Sequence, residues 1–339
     1  GVIGAGMIGN FHARALEEMN SGKLVAVCDV SDERAKAYGE QHGCAAYTDI
    51  EEFLAHDGLD VVTIGTPSGL HLDPVKKAAA AKKHIICEKP LEVNIEKADE
   101  LIAACEENGV VLSGVFPRRF QPAVVLLKET IESGRFGQIT MANAYIKWFR
   151  TQEYYDSGGW RGTWDLDGGG ALMNQSIHTV DRLLHFMGDV TSVCAFAKRA
   201  AHERIEVEDI TVAILEFKSG ALGTIEATTN CFSQTGHPAE VHICGNEGSV
   251  FLKDNNFSVW DFKDETEEDD RIRADYGVQA GAEGVGAADP TAIDFEGHMK
   301  NFEDAVKAIR GEGEPMVGGR EARRSIELIQ AVYQSAQSG

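Results

Sequence analysis

The sequence has no run of 18 or more apolar residues, so it offers no segment that could cross a membrane as a helix. It is also poor in positive charge. Lys and Arg total 32 against 54 Asp and Glu, a formal net charge of −22. A nucleic-acid partner needs a basic face, and this balance excludes one. Seven cysteines, at 28, 44, 87, 105, 194, 231 and 244, form no C-x-x-C pair. They read as small core residues in a reducing compartment, and the expected location is the cytoplasm. The sequence opens inside a strand, which leaves an export segment ahead of residue 1 open. No cluster of metal-ligating residues stands out. With 339 residues, 43% hydrophobic and 25% charged, the chain reads as globular, with two domains each able to bury its own core.

What the chain does have begins at once. Val2 and Ile3 close a buried strand, and Gly4-x-Gly6-x-x-Gly9 follows with Met7 and Ile8 inside it. Helix-forming sequence runs to about Asn20, and the strand-like Leu24–Cys28 ends in Asp29. In that context Gly4 makes a tight turn, Gly6 admits a pyrophosphate, and Gly9 lets the helix pack on the strand. The helix N-terminus presents unpaired N–H groups to the phosphates. Asp29, twenty residues past Gly9, would accept from ribose hydroxyls. Its charge disfavours a 2′-phosphate and so favours NAD over NADP. Val30, Ser31 and Asp32 supply no arginine for that phosphate, although Arg34 stands near.

Strands and helices then alternate: helix 32–42, a short helix Asp49–His56, strand Asp60–Gly65, helix Leu70–Lys82, strand His84–Cys87, helix Asn94–Asn108 and strand Val110–Val115. This predicts a doubly wound parallel sheet, in which ligands bind at the carboxyl ends of the strands. Thr66, Pro67 and Ser68 with His71, and Glu88-Lys89-Pro90, both directly follow a strand. The proline restricts Lys89, which could polarise a substrate oxygen or simply be a surface lysine before a helix.

The alternation stops near Phe116–Phe120, which sets domains of 1–117 and 118–339. A helix at Pro122–Ser133 is followed by strands at Ile139–Phe149, Val190–Ala197, Asp209–Phe217, Ala221–Thr229 and Ala239–Gly245, with shorter ones near Val250 and Val259. Consecutive strands predict an α+β domain on a large, mainly antiparallel open sheet. Acidic Asp264–Asp270 reads as a solvated loop, and 277–289 as a glycine-rich one. Helical patterns at Met299–Ile309 and Arg320–Gln337 could pack back on the first domain.

Chemistry in this domain centres on Gly168–Asp181. Asn174 and His178 are four apart and Asp181 three further on, which puts them near one face of a helix. A histidine suits proton transfer near neutrality; it equally suits a helix that faces structure. Asp181 could orient it or shape the helix. Trp160, Arg161 and Trp164 suit a sugar ring with a carboxylate or phosphate, or a hydrophobic loop anchor. Tyr154, Tyr155 and His298 are weaker candidates.

The pieces GVIGAGMIG (1–9), TPSGLH (66–71), EKP (88–90), PRRFQP (117–122), GWRGTWDLDGGGALMNQSIHTVD (159–181) and GHMKNFEDAV with GREARRSIELIQAVYQSA (297–336) occur in one order along nearly the whole chain. In these the sequence resembles the Gfo/Idh/MocA family of NAD(P)-dependent oxidoreductases. The resemblance implies hydride transfer between NAD(P) and a hydroxyl of a sugar, sugar acid, inositol or nucleotide sugar. It implies catalytic roles for Lys89 and His178. Cofactor contacts would come from Gly4, Gly6, Met7, Ile8, Gly9, Asp29, Thr66, Pro67, Ser68, His71, Glu88 and Lys89. Substrate contacts would come from Arg119, Trp160, Arg161, Asn174, Gln175 and His178. It also implies a homodimer or homotetramer built through the open sheet. One position departs: many members carry aspartate where this chain has Asn174, and an amide cannot take a proton. Two other readings stand beside the dehydrogenase: a hydrolase or lyase that uses NAD transiently, and a catalytically silent NAD(P)–sugar sensor.

Overall fold

A computed structural model describes residues 1–278 and 295–338, so most of the glycine-rich segment 277–289 lies outside the described residues. The chain divides into two compact units. The first takes Gly1–Pro117, Asp165–Gly168 and the stretch that carries helix Glu296–Ile309 and runs to Ile326. The second takes Arg118–Trp164, the segment from Gly169 through helix Glu267–Tyr276, and the chain from Glu327 onward.

In the first unit β1 (Val2–Ile3), β2 (Ala26–Cys28), β3 (Ala45–Tyr47), β4 (Val61–Ile64), β5 (His84–Cys87) and β6 (Leu112–Gly114) form one sheet in the order β3-β2-β1-β4-β5-β6. Every pairing in it is parallel. Its strands are short apolar runs, as both-face burial requires. Strand β3 has no counterpart in the sequence pattern: Ala45-Ala46-Tyr47 is too short to show a period. Helices α1 (Met7–Glu18), α2 (Asp32–His42), α3 (Ile50–Leu54), α4 (Leu72–Ala80) and α5 (Ile95–Asn108) connect the strands. Their limits are local: α5 starts where the Asn94 side chain accepts from Lys97 N and stops at Gly109, with φ +66°.

The second unit holds a seven-stranded sheet, β13-β12-β11-β7-β10-β9-β8. Its strands are β7 (Ile139–Lys147), β8 (Val190–Lys198), β9 (Ile210–Phe217), β10 (Leu222–Thr228), β11 (Ala239–Gly245), β12 (Gly248–Lys253) and β13 (Asn256–Phe262). All neighbours run antiparallel except β7 and β10. Alternation along the central strands sorts most side chains. Ala213, Leu215, Phe217, Ile225, Val241 and Ile243 are buried on one face, while Met141, Val212, Ile214, Leu222 and Phe196 remain exposed. Cys194 lies exposed on β8, so it is not the core thiol expected, whereas Cys28, Cys87 and Cys105 are.

Asp264–Asp270 is solvent-exposed, as expected, except at Asp269, and from Glu267 it is helix rather than loop. Thr266 and Asp269 form a capping box that starts helix Glu267–Tyr276. Asp269 is buried and accepts from Arg135 Nη1, Trp260 Nε1 and Thr266 N at 2.6, 2.7 and 2.7 Å. No helix among the described residues is long and apolar enough to cross a membrane.

Candidate active site

The three glycines after β1 do three different things. Gly4 adopts φ +101°, and a Cβ there would sit 2.8 Å from the Gly65 carbonyl oxygen. A Cβ on Gly9 would sit 2.1 Å from the Gly4 carbonyl oxygen, so α1 packs too closely for any side chain. Gly6 alone faces open space. It precedes α1 without a side-chain cap, so the first amides of α1 face that space unmasked by any side chain. An anion fits there, drawn by the helix N-terminus.

Asp29, at the end of β2, accepts from Ala5 N at 2.9 Å and Ser31 N at 2.8 Å. Arg34 donates to the same carboxylate through Nη2 at 2.7 Å and Nε at 3.2 Å. Burial pushes Asp29 up, but Arg34 and the two amides outweigh it and hold the carboxyl below its ordinary value. A glycine cradle open at Gly6, with backbone N–H donors, followed by a carboxylate acceptor is the arrangement a dinucleotide requires.

The loops after β4 and β5 hold Thr66-Pro67-Ser68 and Glu88-Lys89-Pro90. The Lys89–Pro90 bond is cis, and Lys89 is partly exposed. Two neighbours expected to touch a cofactor are turned inward. His71, 1% exposed, places Nδ1 3.0 Å from the Pro90 carbonyl oxygen and Nε2 3.0 Å from that of Thr66. It therefore bolts the two loops together. Glu88 is buried: Oε1 lies 3.1 Å from His12 Nε2, and Oε2 accepts from Lys89 N at 3.0 Å. His298 Nε2 approaches Glu88 Oε1 at 3.7 Å, which gives that histidine a neighbour sequence spacing could not show. His12 Nδ1 lies 3.0 Å from Thr63 Oγ1. Burial pushes His12 down, so it serves as a neutral donor through Nε2 with the Thr63 hydroxyl on Nδ1. Burial raises Glu88, but the His12 hydrogen bond and the proximity of His298 hold it well below the ordinary range.

In the second unit, Asn174 and His178 do not share a regular helix. Ala171–Gln175 is a π-helical turn, and α8 (Ile177–Met187) begins only after Ser176. Gln175 N donates to the Gly170 carbonyl at 3.3 Å, the wider i to i−5 bond. From Asp167 to Leu184 every residue is buried except Asn174 and His178. Asp181, expected to orient His178 or to shape the helix, is buried. Its carboxylate grips Arg119, Nε to Oδ2 at 2.7 Å and Nη2 to Oδ1 at 2.6 Å. Arg119, for which a substrate contact was expected, is 2% exposed.

Gln175 is likewise largely buried. Its Oε1 accepts from Arg150 Nε at 3.0 Å, and its Nε2 donates to Tyr154 OH at 2.9 Å and Asn174 Oδ1 at 2.6 Å. Tyr154 OH also accepts from Arg161 Nη1 at 2.6 Å. The Arg161 guanidinium lies over the Tyr154 and Trp160 rings, 4.3 and 4.6 Å from their centroids. Asn174, Gln175, Tyr154, Arg161 and Trp160 are thus one connected surface. Arg150 and the helix around Tyr154, α7 (Gln152–Asp156), gave no sequence signal beyond a tyrosine pair. Among the described residues no His, Cys, Asp and Glu group is arranged to hold a metal ion.

Residues 1–116 match the model for the oxidoreductase family's NAD-binding Rossmann fold, and residues 128–339 that for its C-terminal alpha/beta domain. Myo-inositol 2-dehydrogenase of Thermotoga maritima is 31% identical over 74% of this chain and 74% of its own length. The scyllo-inositol 2-dehydrogenase (NAD(+)) of Bacillus subtilis is 32% identical over 74% of this chain and 72% of its own. Among solved structures, the WlbA dehydrogenase of Bordetella pertussis in complex with NADH and UDP-GlcNAcA superposes with a TM-score of 0.88 at 33% identity. That match covers 100% of this chain and 96% of the other.

Proposed function

The chain belongs to the Gfo/Idh/MocA family of oxidoreductases, and from that premise we propose an NAD-dependent dehydrogenase that acts on a hydroxyl of a sugar, sugar acid, inositol or nucleotide sugar. When bound, NAD supplies the hydride acceptor of the nicotinamide ring. The Gly4–Gly9 turn and Asp29 hold the dinucleotide, and Thr66, Pro67 and Ser68 flank it. Lys89 polarises the substrate oxygen, and its positive charge stabilises the developing alkoxide. His178 takes the hydroxyl proton. Asn174 hydrogen-bonds a hydroxyl but leaves proton removal to His178.

The observation that carries this reading is the exposure pattern of the glycine-rich segment: a long buried stretch brings only an amide and an imidazole to the surface. The stacked Arg161 with Trp160 and Tyr154 supports a substrate that joins a sugar face to an anionic group. The WlbA relative, with NADH and UDP-GlcNAcA bound, points the same way. The exposed apolar row Met141, Val212, Ile214, Leu222 and Phe196 supports self-association of the sheet as a homodimer or homotetramer. Free cysteines throughout the described residues support a cytoplasmic location.

The test is absorbance of NADH with purified protein, NAD or NADP, and a panel of inositols, aldoses, sugar acids and nucleotide sugars. Lys89→Ala and His178→Ala should each lower turnover about 10²- to 10⁴-fold. Silence across the panel with dinucleotide still bound would replace the dehydrogenase with an internal-redox enzyme or a sensor. Turnover that survives His178→Ala would remove the base assignment.

A further inference from the structure

Glu208 lies far in sequence from the segment that carries Asn174 and His178, and no motif marks it. Glu208 is 4% exposed. Oε2 accepts from Gly170 N at 2.7 Å, and Oε1 accepts from Leu172 N at 2.7 Å and from Tyr333 OH at 3.0 Å. The intervening amide, Ala171 N, donates to the Glu208 main-chain carbonyl at 3.1 Å. Three consecutive N–H groups at the start of the π-helical turn therefore end on one residue.

Those amides need an outside acceptor, because the first N–H groups of any helical turn have none within it. A serine or asparagine usually supplies it, but Gly168-Gly169-Gly170 has no side chain to offer. The glycines are instead what lets Glu208 in. A Cβ on Gly170 would lie 1.9 Å from the Glu208 carbonyl oxygen, and one on Gly169 would lie 2.3 Å from Tyr333 Oη. The sequence suggested that these glycines approach a ligand or another backbone; two of the three approach this cap.

We propose that Glu208 is the positioning residue of the substrate-side segment: it clamps the first amides of the Ala171–Gln175 turn and so fixes where Asn174 and the start of α8, with His178, stand. What it positions rests on the dehydrogenase reading; that it clamps the turn does not. A π-helical turn is costly to keep without such a hold, since its wide i to i−5 bonds are inferior to α-helical ones. The carboxylate accepts all three donors, whereas an amide in its place would point its NH₂ at one of them.

Two readouts test this at pH 8. The first needs no substrate: hydrogen exchange of the peptide covering 168–178, followed by mass spectrometry. Glu208→Gln should speed exchange there about 10- to 100-fold, the loss of a hydrogen bond to a charged group, and leave the peptide covering 1–20 unchanged. Tyr333→Phe removes one of the three donors and keeps the clamp, so its exchange in 168–178 should rise by less than about fivefold; it is also the variant to read should Glu208→Gln fail to fold. The second readout is turnover on the best substrate of the panel. In Glu208→Gln kcat should fall about 10- to 100-fold while NAD affinity by calorimetry stays within about twofold, a split that general destabilisation would not produce. Unchanged exchange in 168–178 overturns the clamp. Faster exchange with kcat intact overturns the positioning role. A wild-type protein without turnover counts against the dehydrogenase, and the exchange arm still decides the clamp.

Discussion

Arg119 and Asp181 meet as a buried fork, with Nε on Oδ2 at 2.7 Å and Nη2 on Oδ1 at 2.6 Å and each side chain 2% exposed. Arg119 Nη1 also lies 3.2 Å from His185 Nδ1, one turn further along α8. The pair joins the turn before α6 (Pro122–Glu132) to the helix that begins beside His178. Removal of one partner leaves a buried charge unmatched, which costs far more than the intact pair contributes. Asp181→Leu should destabilise the protein by about 3–5 kcal/mol in urea unfolding. The double variant Asp181→Leu, Arg119→Met should recover most of that loss. A single variant within about 1 kcal/mol of wild type would mean the guanidinium finds solvent or another acceptor.

Arg34 and Asp29 set the cofactor preference together. In the proposed site an ionised Asp29 would accept from the ribose hydroxyls, and Arg34 helps hold it ionised. Arg34 is itself 57% exposed and would turn to a phosphate if the carboxylate were absent. Asp29→Ser should lower kcat/KM for NAD about tenfold and raise it for NADP. Arg34→Ala in that background should abolish the gain with NADP. Initial rates with both dinucleotides at equal concentration decide it. Equal rates in the wild type would show that Arg34 already leaves Asp29 for a 2′-phosphate.

Legibility in the sequence followed the range of the interactions. Gly4, Gly6, Gly9 and Asp29 are readable because their spacing is local, the glycines doing backbone jobs and Asp29 standing at the end of the next strand. The parallel order of the first sheet followed from strand–helix alternation alone. Local spacing picked out Asn174 and His178, the partly exposed pair of a buried segment, but missed the π turn that carries Asn174, since an α-helical period says nothing of one. It missed the burial of Asp269 too. Four acids in a row read as solvated, although Arg135 and Trp260, remote in sequence, draw Asp269 into the core. His71, Glu88 and Arg119 sit in the right motifs, but their side chains point inward to partners that only the fold supplies. The inward-facing members of a motif support the ones that face out.

Asp269 gives that distinction a measurable form. The hydrogen bonds from Arg135 outweigh burial and hold its carboxyl well below the ordinary value. Asp269→Ala removes a buried hub that serves Arg135, Trp260 and Thr266 at once. The expected cost is about 2–4 kcal/mol in denaturant unfolding, with a shift in the fluorescence of Trp260. In the folded fraction kcat should be unchanged, because the helix it starts carries none of the proposed site residues. A fall in kcat without loss of stability would bring the acidic segment into the chemistry.

Glu208 should make stability fall as pH rises through a defined window. Burial outweighs the amide and Tyr333 hydrogen bonds and pushes its carboxyl from 4.5 up to about 7. Tyr333 faces it from helix Gly319–Ser338 and donates its hydroxyl to Oε1. The folded protein then binds the proton more tightly than the unfolded chain does. Stability is therefore highest below the unfolded value, declines between about pH 4.5 and 7, and is level above that. The fall amounts to about 3 kcal/mol, since a tenfold difference in proton affinity between the folded and unfolded chain is worth about 1.4 kcal/mol. Other carboxylates add their own slopes, so the measurement is a difference: urea unfolding of wild type and Glu208→Gln at matched pH. The wild type should lose ground against the variant by that amount between about pH 5 and 7.5. A constant difference across the window would show that Glu208 ionises at its ordinary value, with the hydrogen bonds from Gly170, Leu172 and Tyr333 strong enough to cancel the cost of burial.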